Sequence, residues 1–327
     1  MPVEVKPVQI GLRSRFRVWL LRVFVKRLME RMGRCSEERL AKLQVRAAGP
    51  LREQCCGLPL RYQIINGVPG PMLGDSSDPR KLAILYLHGG AFVFPASPGL
   101  QLELLGRLCR DLDAIGFMPD YRLVPQNPFP AALDDCERAY RGLLNFGYVP
   151  SRIVVVGESA GGNLVLALLQ RIRKAGLGMP ACAVPISPMT DLARTHAPPS
   201  RVLNAKREAL VPVSFAYRMT NWYIGGQDAS NPEISPLYAD YAGFPPLYFL
   251  ASEREILLDD SVLAAQCARQ AGVETQLEVW PVLPHAFLLF ESMFREAIQA
   301  RRDVVAFIRR YTAAGGEGEI AVAVGLS

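Results

Sequence analysis

Cysteine pairs, histidines and long apolar runs are all scarce in this chain, and each scarcity narrows the field. The 327 residues hold 7 cysteines, an odd number, and only Cys55 and Cys56 are neighbours. No C-x-x-C pair exists. This argues against a disulfide framework or a cysteine zinc site, and it fits a reducing, cytoplasmic compartment. Only three histidines occur, His88, His196 and His285, so any imidazole chemistry has three candidates at most. Repeats and low-complexity runs are absent.

Half of the residues are hydrophobic and 21% are charged, the balance of a globular protein. The formal charge of +6 suggests nucleic acid or membrane until its distribution is examined. Residues 1–34 carry 9 Lys/Arg against 2 Asp/Glu, and the remaining chain carries 28 against 29. The basicity belongs to one N-terminal segment, so no nucleic-acid surface is expected. That segment, GLRSRFRVWLLRVFVKRLMERMGR, mixes apolar and basic residues at helical spacing. Its uncharged middle, Val18 to Leu21, falls far short of the roughly 20 apolar residues of a membrane span, and it lacks the apolar region of a secretory signal. Two readings fit: a lid packed on the main body, or peripheral contact with an acidic membrane surface.

From residue 60 onward, apolar runs of strand length alternate with helical segments. Expected strands are Leu60–Ile65, closed by Asn66-Gly67, then Lys81–Leu87, Ala114–Arg122, Ile153–Val156, Ala181–Ile186, Leu247–Ala251 and Thr275–Val279. Expected helices are Leu100–Leu112, Ala131–Leu144, Ala160–Lys174, Asp259–Gln270 and Glu296–Tyr311. The alternation predicts an α/β fold with a mostly parallel sheet covered on both faces. It breaks over residues 188–235, rich in Pro, Arg and aromatics, read as an insertion that forms a cap with residues 1–50. The core is then residues 51–187 and 236–312, followed by a loose tail, 313–327.

Ligands of such sheets bind beyond the carboxyl ends of the strands, and four features fall there. The first is Ser159 in VVVGESAGGN. A G-x-S-x-G turn between a buried strand and a helix exposes the serine hydroxyl beside a helix N-terminus. The bland reading is a plain glycine turn. The second is LHGGAF, whose glycine pair can turn N–H groups toward an oxyanion. Gly89, Gly90 and Ala160 are the expected donors, and His88 is read as a brace for the loop. The third is His285 in WPVLPHAF, late in the chain where the order nucleophile, acid, histidine places the base. The fourth is the acid, in ASEREILLDDS: Glu255 fits the turn past the strand, Asp259 is the alternative, and Glu253 is taken as solvated. Arg122 is expected to pair with a carboxylate. Phe92, Phe94, Phe215, Tyr217, Trp222 and Tyr223 either line the acyl and alcohol pockets or pack cap on core.

Over residues 80–310 the chain resembles the hormone-sensitive-lipase-like (family IV) esterases of the α/β-hydrolase superfamily. The segments HGGAF, DYRLVPQNPFPAALDDCERAY and GESAGGN carry the resemblance, together with the thirty residues between Glu255 and His285. It implies an eight-stranded, mostly parallel sheet under a helical cap. It also implies hydrolysis of short- to medium-chain acyl esters through a Ser159, His285, Glu255 triad, without a cofactor or metal. An amidase or deacetylase on the same triad and a catalytically silent receptor are the alternatives, and monomer or homodimer are both compatible. Three departures stand out. Ala91 replaces a third glycine, and a positive φ there would cost about 1 kcal/mol. Glu158 and Glu255 stand where relatives often have Asp.

Overall fold

The structure is a computed structural model, and it describes residues 4–47, 53–194 and 198–313. The tail expected to be loose lies, beyond Ala313, outside the described residues, as does His196. The described elements are α1 (Leu12–Met32), α2 (Glu37–Ala47), β1 (Gln54–Cys55), β2 (Leu58–Ile65), β3 (Val68–Leu73), β4 (Leu82–Leu87), α3 (Gln101–Leu112), β5 (Ala114–Phe117), α4 (Ala131–Asn145), β6 (Ile153–Glu158), α5 (Ala160–Lys174), β7 (Cys182–Ile186), α6 (Ser200–Leu203), α7 (Val213–Ile224), β8 (Leu247–Ser252), α8 (Leu258–Gln270), β9 (Thr275–Trp280) and α9 (Arg295–Thr312).

The strands form one sheet in the order β1-β2-β3-β5-β4-β6-β7-β8-β9. Pairings from β5 through β9 are parallel, and β1, β2 and β3 add an antiparallel edge. The sheet thus has the expected eight strands plus a ninth, the two-residue β1, which folds back on β2 through a turn where Cys56 and Gly57 both have positive φ. The central strands β4, β6, β7 and β8 are buried along their whole length, as continuous apolar runs require when helices cover both faces. Two apolar layers result, one on each side of the sheet.

One expected strand is shorter. Residues 114–122 pair only as far as Phe117, because Pro119 has no N–H to continue the ladder. Beyond Phe117 the chain parts from β4 but still runs along β3, where Met118 and Asp120 donate to the Pro71 and Pro69 carbonyls. Arg122 closes a bidentate pair with Asp135, at 2.9 Å from each carboxylate oxygen, and so ties this loop to α4.

Residues 188–235 leave the sheet after β7 and carry α6 and α7. A buried ion pair pins their first part. Arg201 Nη2 lies 2.8 and 3.0 Å from the Asp260 carboxylate, whose Oδ1 also accepts from the N–H groups of Thr190 and Asp191. Asp260 is fully buried and Arg201 nearly so. At the other end, Lys6 bonds Glu278 and Asp303 beside β9 and anchors the approach to α1. No helix among the described residues is long and apolar enough to cross a membrane. Asp260→Ala would strand a buried guanidinium and two N–H donors. Its expected cost is about 3 kcal/mol or more, read as a lower midpoint in urea unfolding.

Candidate active site

β6 ends in the turn that carries Ser159. This residue has φ 57° and ψ −117°, a conformation rarely adopted by L-residues. Crowding of backbone enforces it. A Cβ on Gly161 would lie 1.9 Å from the Leu87 carbonyl oxygen, and one on Gly157 would lie 2.6 Å from the Gly161 oxygen. Only glycine fits either place, so the strand can reverse directly into α5. Ser159 N–H donates to the Ile186 carbonyl at 2.8 Å, which fixes the turn to β7. The strain is held by these neighbours, and the serine lines a cavity.

The acid and the histidine come from the two strands beyond. Glu255 follows β8 and His285 follows β9. Glu255 Oε2 lies 2.6 Å from His285 Nδ1, and Oε1 accepts from the Ser252 N–H at 2.9 Å. Both side chains are buried, Glu255 fully. The carboxylate fixes the tautomer: Nδ1 carries the proton, which leaves Nε2 as a base. Nε2 is buried without a hydrogen-bond partner among the described residues, and His285 lines the same cavity as Ser159. Burial opposes charge on His285, but the Glu255 hydrogen bond and charge, with Glu208 and Glu158 behind, outweigh it and raise the imidazole above its ordinary 6.5. Asp259 is elsewhere: its Oδ2 accepts from the Ser200 N–H at 2.7 Å.

The HGGAF loop lies between β4 and α3. Here one expectation fails. The Gly89 N–H points to Glu158 Oε1 at 2.6 Å and is not free for an oxyanion. Glu158 also accepts from Tyr86 Oη at 2.7 Å and Gln101 Nε2 at 3.0 Å, so this buried carboxylate is the post on which the loop hangs. Burial pushes its pKa up to about 7, against those donors. The N–H groups of Gly90, Ala91 and Ala160 have no acceptor among the described residues, and Gly90 and Ala91 line the cavity. The N–H left without an acceptor beside Gly90 is therefore that of Ala91 and not that of Gly89. Its φ is +55°, the strained alternative for alanine. His88 is the expected brace. It is buried, its Nδ1 lies 2.7 Å from the Gly89 carbonyl, and its ring stacks on Tyr121 at 4.2 Å. Burial lowers its pKa to about 4, so it stays neutral.

Two residues of the insertion escaped the sequence reading. Asn204 Nδ2 donates to the carbonyls of Glu253 and Glu255 at 2.9 and 3.0 Å. Glu208 is buried and accepts from Ile256 N–H at 3.0 Å and Leu210 N–H at 2.8 Å. With both oxygens accepting, it has the geometry of an ionised carboxylate, although burial pushes its pKa up. Together they hold the turn that presents Glu255. A lone Asn and Glu far along the chain carry no local signal of this.

The cavity measures about 310 Å³ and its wall is almost wholly apolar. Leu21, Val25 and Met29 of α1, Leu210 and Val211 of the insertion, and Leu289 form much of it. Of the six aromatics singled out, Phe94 and Phe215 face it. Phe92 and Tyr223 stack on each other at 3.7 Å, away from it. Tyr217 lies under the Arg194 guanidinium and Trp222 under that of Arg218.

Residues 84–289 match a family described by the alpha/beta hydrolase fold. The chain is 37% identical over 235 residues to an acetyl-hydrolase of Streptomyces hygroscopicus, covering 72% of this chain and 77% of that one. It is 38% identical over 245 residues to the esterase LipU of Mycobacterium tuberculosis, covering 72% and 80%. Among solved structures it is similar to EstE5, with a TM-score of 0.81 at 32% identity over 93% of this chain and all of that one. It is also similar to a hormone-sensitive lipase from a metagenome library, with a TM-score of 0.80 at 31% identity over the same shares.

Replacing Ala91 by glycine is expected to relieve the positive φ and stabilise the protein by about 1 kcal/mol. The check is a higher unfolding midpoint with ester turnover retained.

Proposed function

Because this chain belongs to the hormone-sensitive-lipase-like esterases of the α/β-hydrolase fold and hydrolyses carboxylic esters, we propose that Ser159, His285 and Glu255 perform that reaction. The observation that carries the assignment is the 2.6 Å contact between Glu255 and His285, with Nε2 left unpartnered at the cavity that Ser159 enters. His285 Nε2 takes the Ser159 proton as Oγ attacks the ester carbonyl. The tetrahedral oxyanion is held by the N–H groups of Gly90, Ala91 and Ala160. Collapse expels the alcohol, which takes the proton from His285 and leaves an acyl-serine. Water then adds by the same route, and the acid departs. Glu255 stays ionised throughout and stabilises the imidazolium. No step calls for a cofactor.

The cavity is at the small end of the range for small-molecule sites, and its wall is apolar, so the substrates are short- to medium-chain acyl esters. The two cap parts, residues 1–50 and 188–235, close over a core of residues 51–187 and 236–312. Relatives named as esterases and acetyl-hydrolase favour an ester over an amide. A silent receptor would lack a member of the triad, and none is missing here.

Ser159→Ala and His285→Ala are expected to abolish hydrolysis of p-nitrophenyl esters, tested from acetate to palmitate. Wild-type turnover should peak at short to medium chains. Retained turnover in either variant removes that residue from the mechanism. The pH profile supplies a second test. A base with a raised pKa is active only where it has lost its proton, so kcat/KM falls on acidification through a point above 6.5. Glu208→Gln removes one negative charge facing His285. The limb should then move to lower pH, by about half a unit or more, with kcat reduced. A uniform fall in kcat/KM with an unmoved limb would leave Glu208 only a packing role.

A further inference from the structure

Helix α1 has two apolar stripes on opposite sides. Val18, Leu21, Val25 and Met29 fall on one side; Val18 and Leu21 are buried, and the last three line the catalytic cavity. At about 100° per residue, Leu12, Phe16, Trp19 and Val23 fall on the opposite side. Among the described residues nothing covers Leu12, Phe16 and Trp19 of this second stripe. Leu12 is 86% exposed, Phe16 59% and Trp19 46%. Cations flank it on both sides: Arg15, Arg22 and Lys26 along one edge, Arg13, Arg27 and Arg31 along the other. Lys26 Nζ donates to the Ala205 carbonyl, which brings the end of α6, with the exposed Val202 and Leu203, beside α1.

We propose that this face of α1 docks the enzyme on an anionic lipid bilayer and that its substrates include esters carried in that bilayer. The two sequence-based readings of the segment are then two sides of one helix: the inward side is the pocket wall and the outward side is the membrane contact. An aromatic stripe edged by arginines matches the interfacial zone, where rings enter the acyl boundary and guanidinium groups meet lipid phosphates. Exposed apolar residues of this size gathered on one face are unusual for a surface that meets only water. A second copy of this chain fits less well, because its matching face would bring the same cations together. Leu21, Val25 and Met29 on the inward side of the same helix line the cavity that Ser159 also lines, so the docked helix would set that cavity beside the bilayer.

The inference rests on the esterase reading for its substrate and on the helix for its site, and the experiment separates the two. Full-length wild type and Phe16→Ser/Trp19→Ser are compared in flotation with vesicles of phosphatidylcholine, with and without 30% phosphatidylglycerol (roughly the anionic share that gives a surface potential). Hydrolysis of soluble p-nitrophenyl butyrate and of p-nitrophenyl palmitate held in the same vesicles is followed alongside. Wild type should float with anionic vesicles and not with neutral ones. The double variant should lose binding about tenfold or more, lose vesicle-borne hydrolysis in step, and keep soluble hydrolysis. Arg13→Glu/Arg27→Glu should lose binding likewise. Failure of wild type to bind anionic vesicles overturns the proposal, and so does equal binding by the aromatic variant. Concentration-dependent dimers that the variant abolishes, without vesicle binding, would assign the face to a second copy. Loss of soluble hydrolysis in wild type would instead sink the esterase mechanism and leave the docking result standing.

Discussion

A carboxylate taken out of water demands donors, and meeting that demand shapes the active end of this sheet. Glu158, Glu208, Glu255 and Asp260 are all buried there. Each would be costly alone, and each accepts from at least one backbone N–H. Glu158 takes the Gly89 N–H, and the HGGAF loop is thereby placed. Glu255 takes the Ser252 N–H and the histidine. Glu208 takes Leu210 and Ile256, and Asp260 takes Thr190 and Asp191 besides Arg201. The loops are thus held in position by charges that cannot be left unsatisfied.

The same charges set the electrostatics around His285. His285 faces Glu255, Glu208 and Glu158, and its imidazolium is favoured despite burial. Positive charge developing on this imidazole would therefore meet a field already in place, without solvent reorganisation. The cavity in front of it is apolar. An anionic substrate would meet this cluster of carboxylates unfavourably, whereas a neutral ester does not. Glu158 adds a pH term to stability. Its folded value near 7 lies above the ordinary 4.5, so the folded state is favoured at low pH and loses that share as pH rises through about 7.

Much of this was legible in the chain. The buried strands were marked by continuous apolar runs, and α5 begins and ends where its pattern predicts, at Ala160 and Lys174. Ser159, Glu255 and His285 are legible as candidates because each sits just past a strand, where turn chemistry is local. What escaped was non-local or broke local rules. β3 reads VPGPML, and two prolines in six residues argue against a strand. It survives because the ladder to β2 runs through alternate residues, while Pro69 and Pro71 offer only carbonyls to Asp120 and Met118 on the other side. Gly89 was misjudged because nothing in HGGAF shows that a carboxylate 69 residues away claims its N–H. Glu208 and Asn204 act across the gap between insertion and acid turn, and spacing along the chain does not reveal it.

The two walls of the cavity differ in what they can do. The insertion wall is bonded to the acid turn at several points: Ser200 and Asn204 to backbone carbonyls of 253–256, Glu208 to the Ile256 N–H, and Arg201 to Asp260. Displacing it would disturb Glu255 and with it the tautomer of His285. Among the described residues, the α1 wall meets the cavity through Leu21, Val25 and Met29. Its polar ties lie away from the triad, at Ser14 to Glu296, Arg17 to the Met293 carbonyl and Lys26 to the Ala205 carbonyl. Van der Waals contact can be broken and remade at little cost to the geometry of the acid and base. Of the two walls, α1 is therefore the one that can yield to admit a substrate while Glu255 and His285 stay in register.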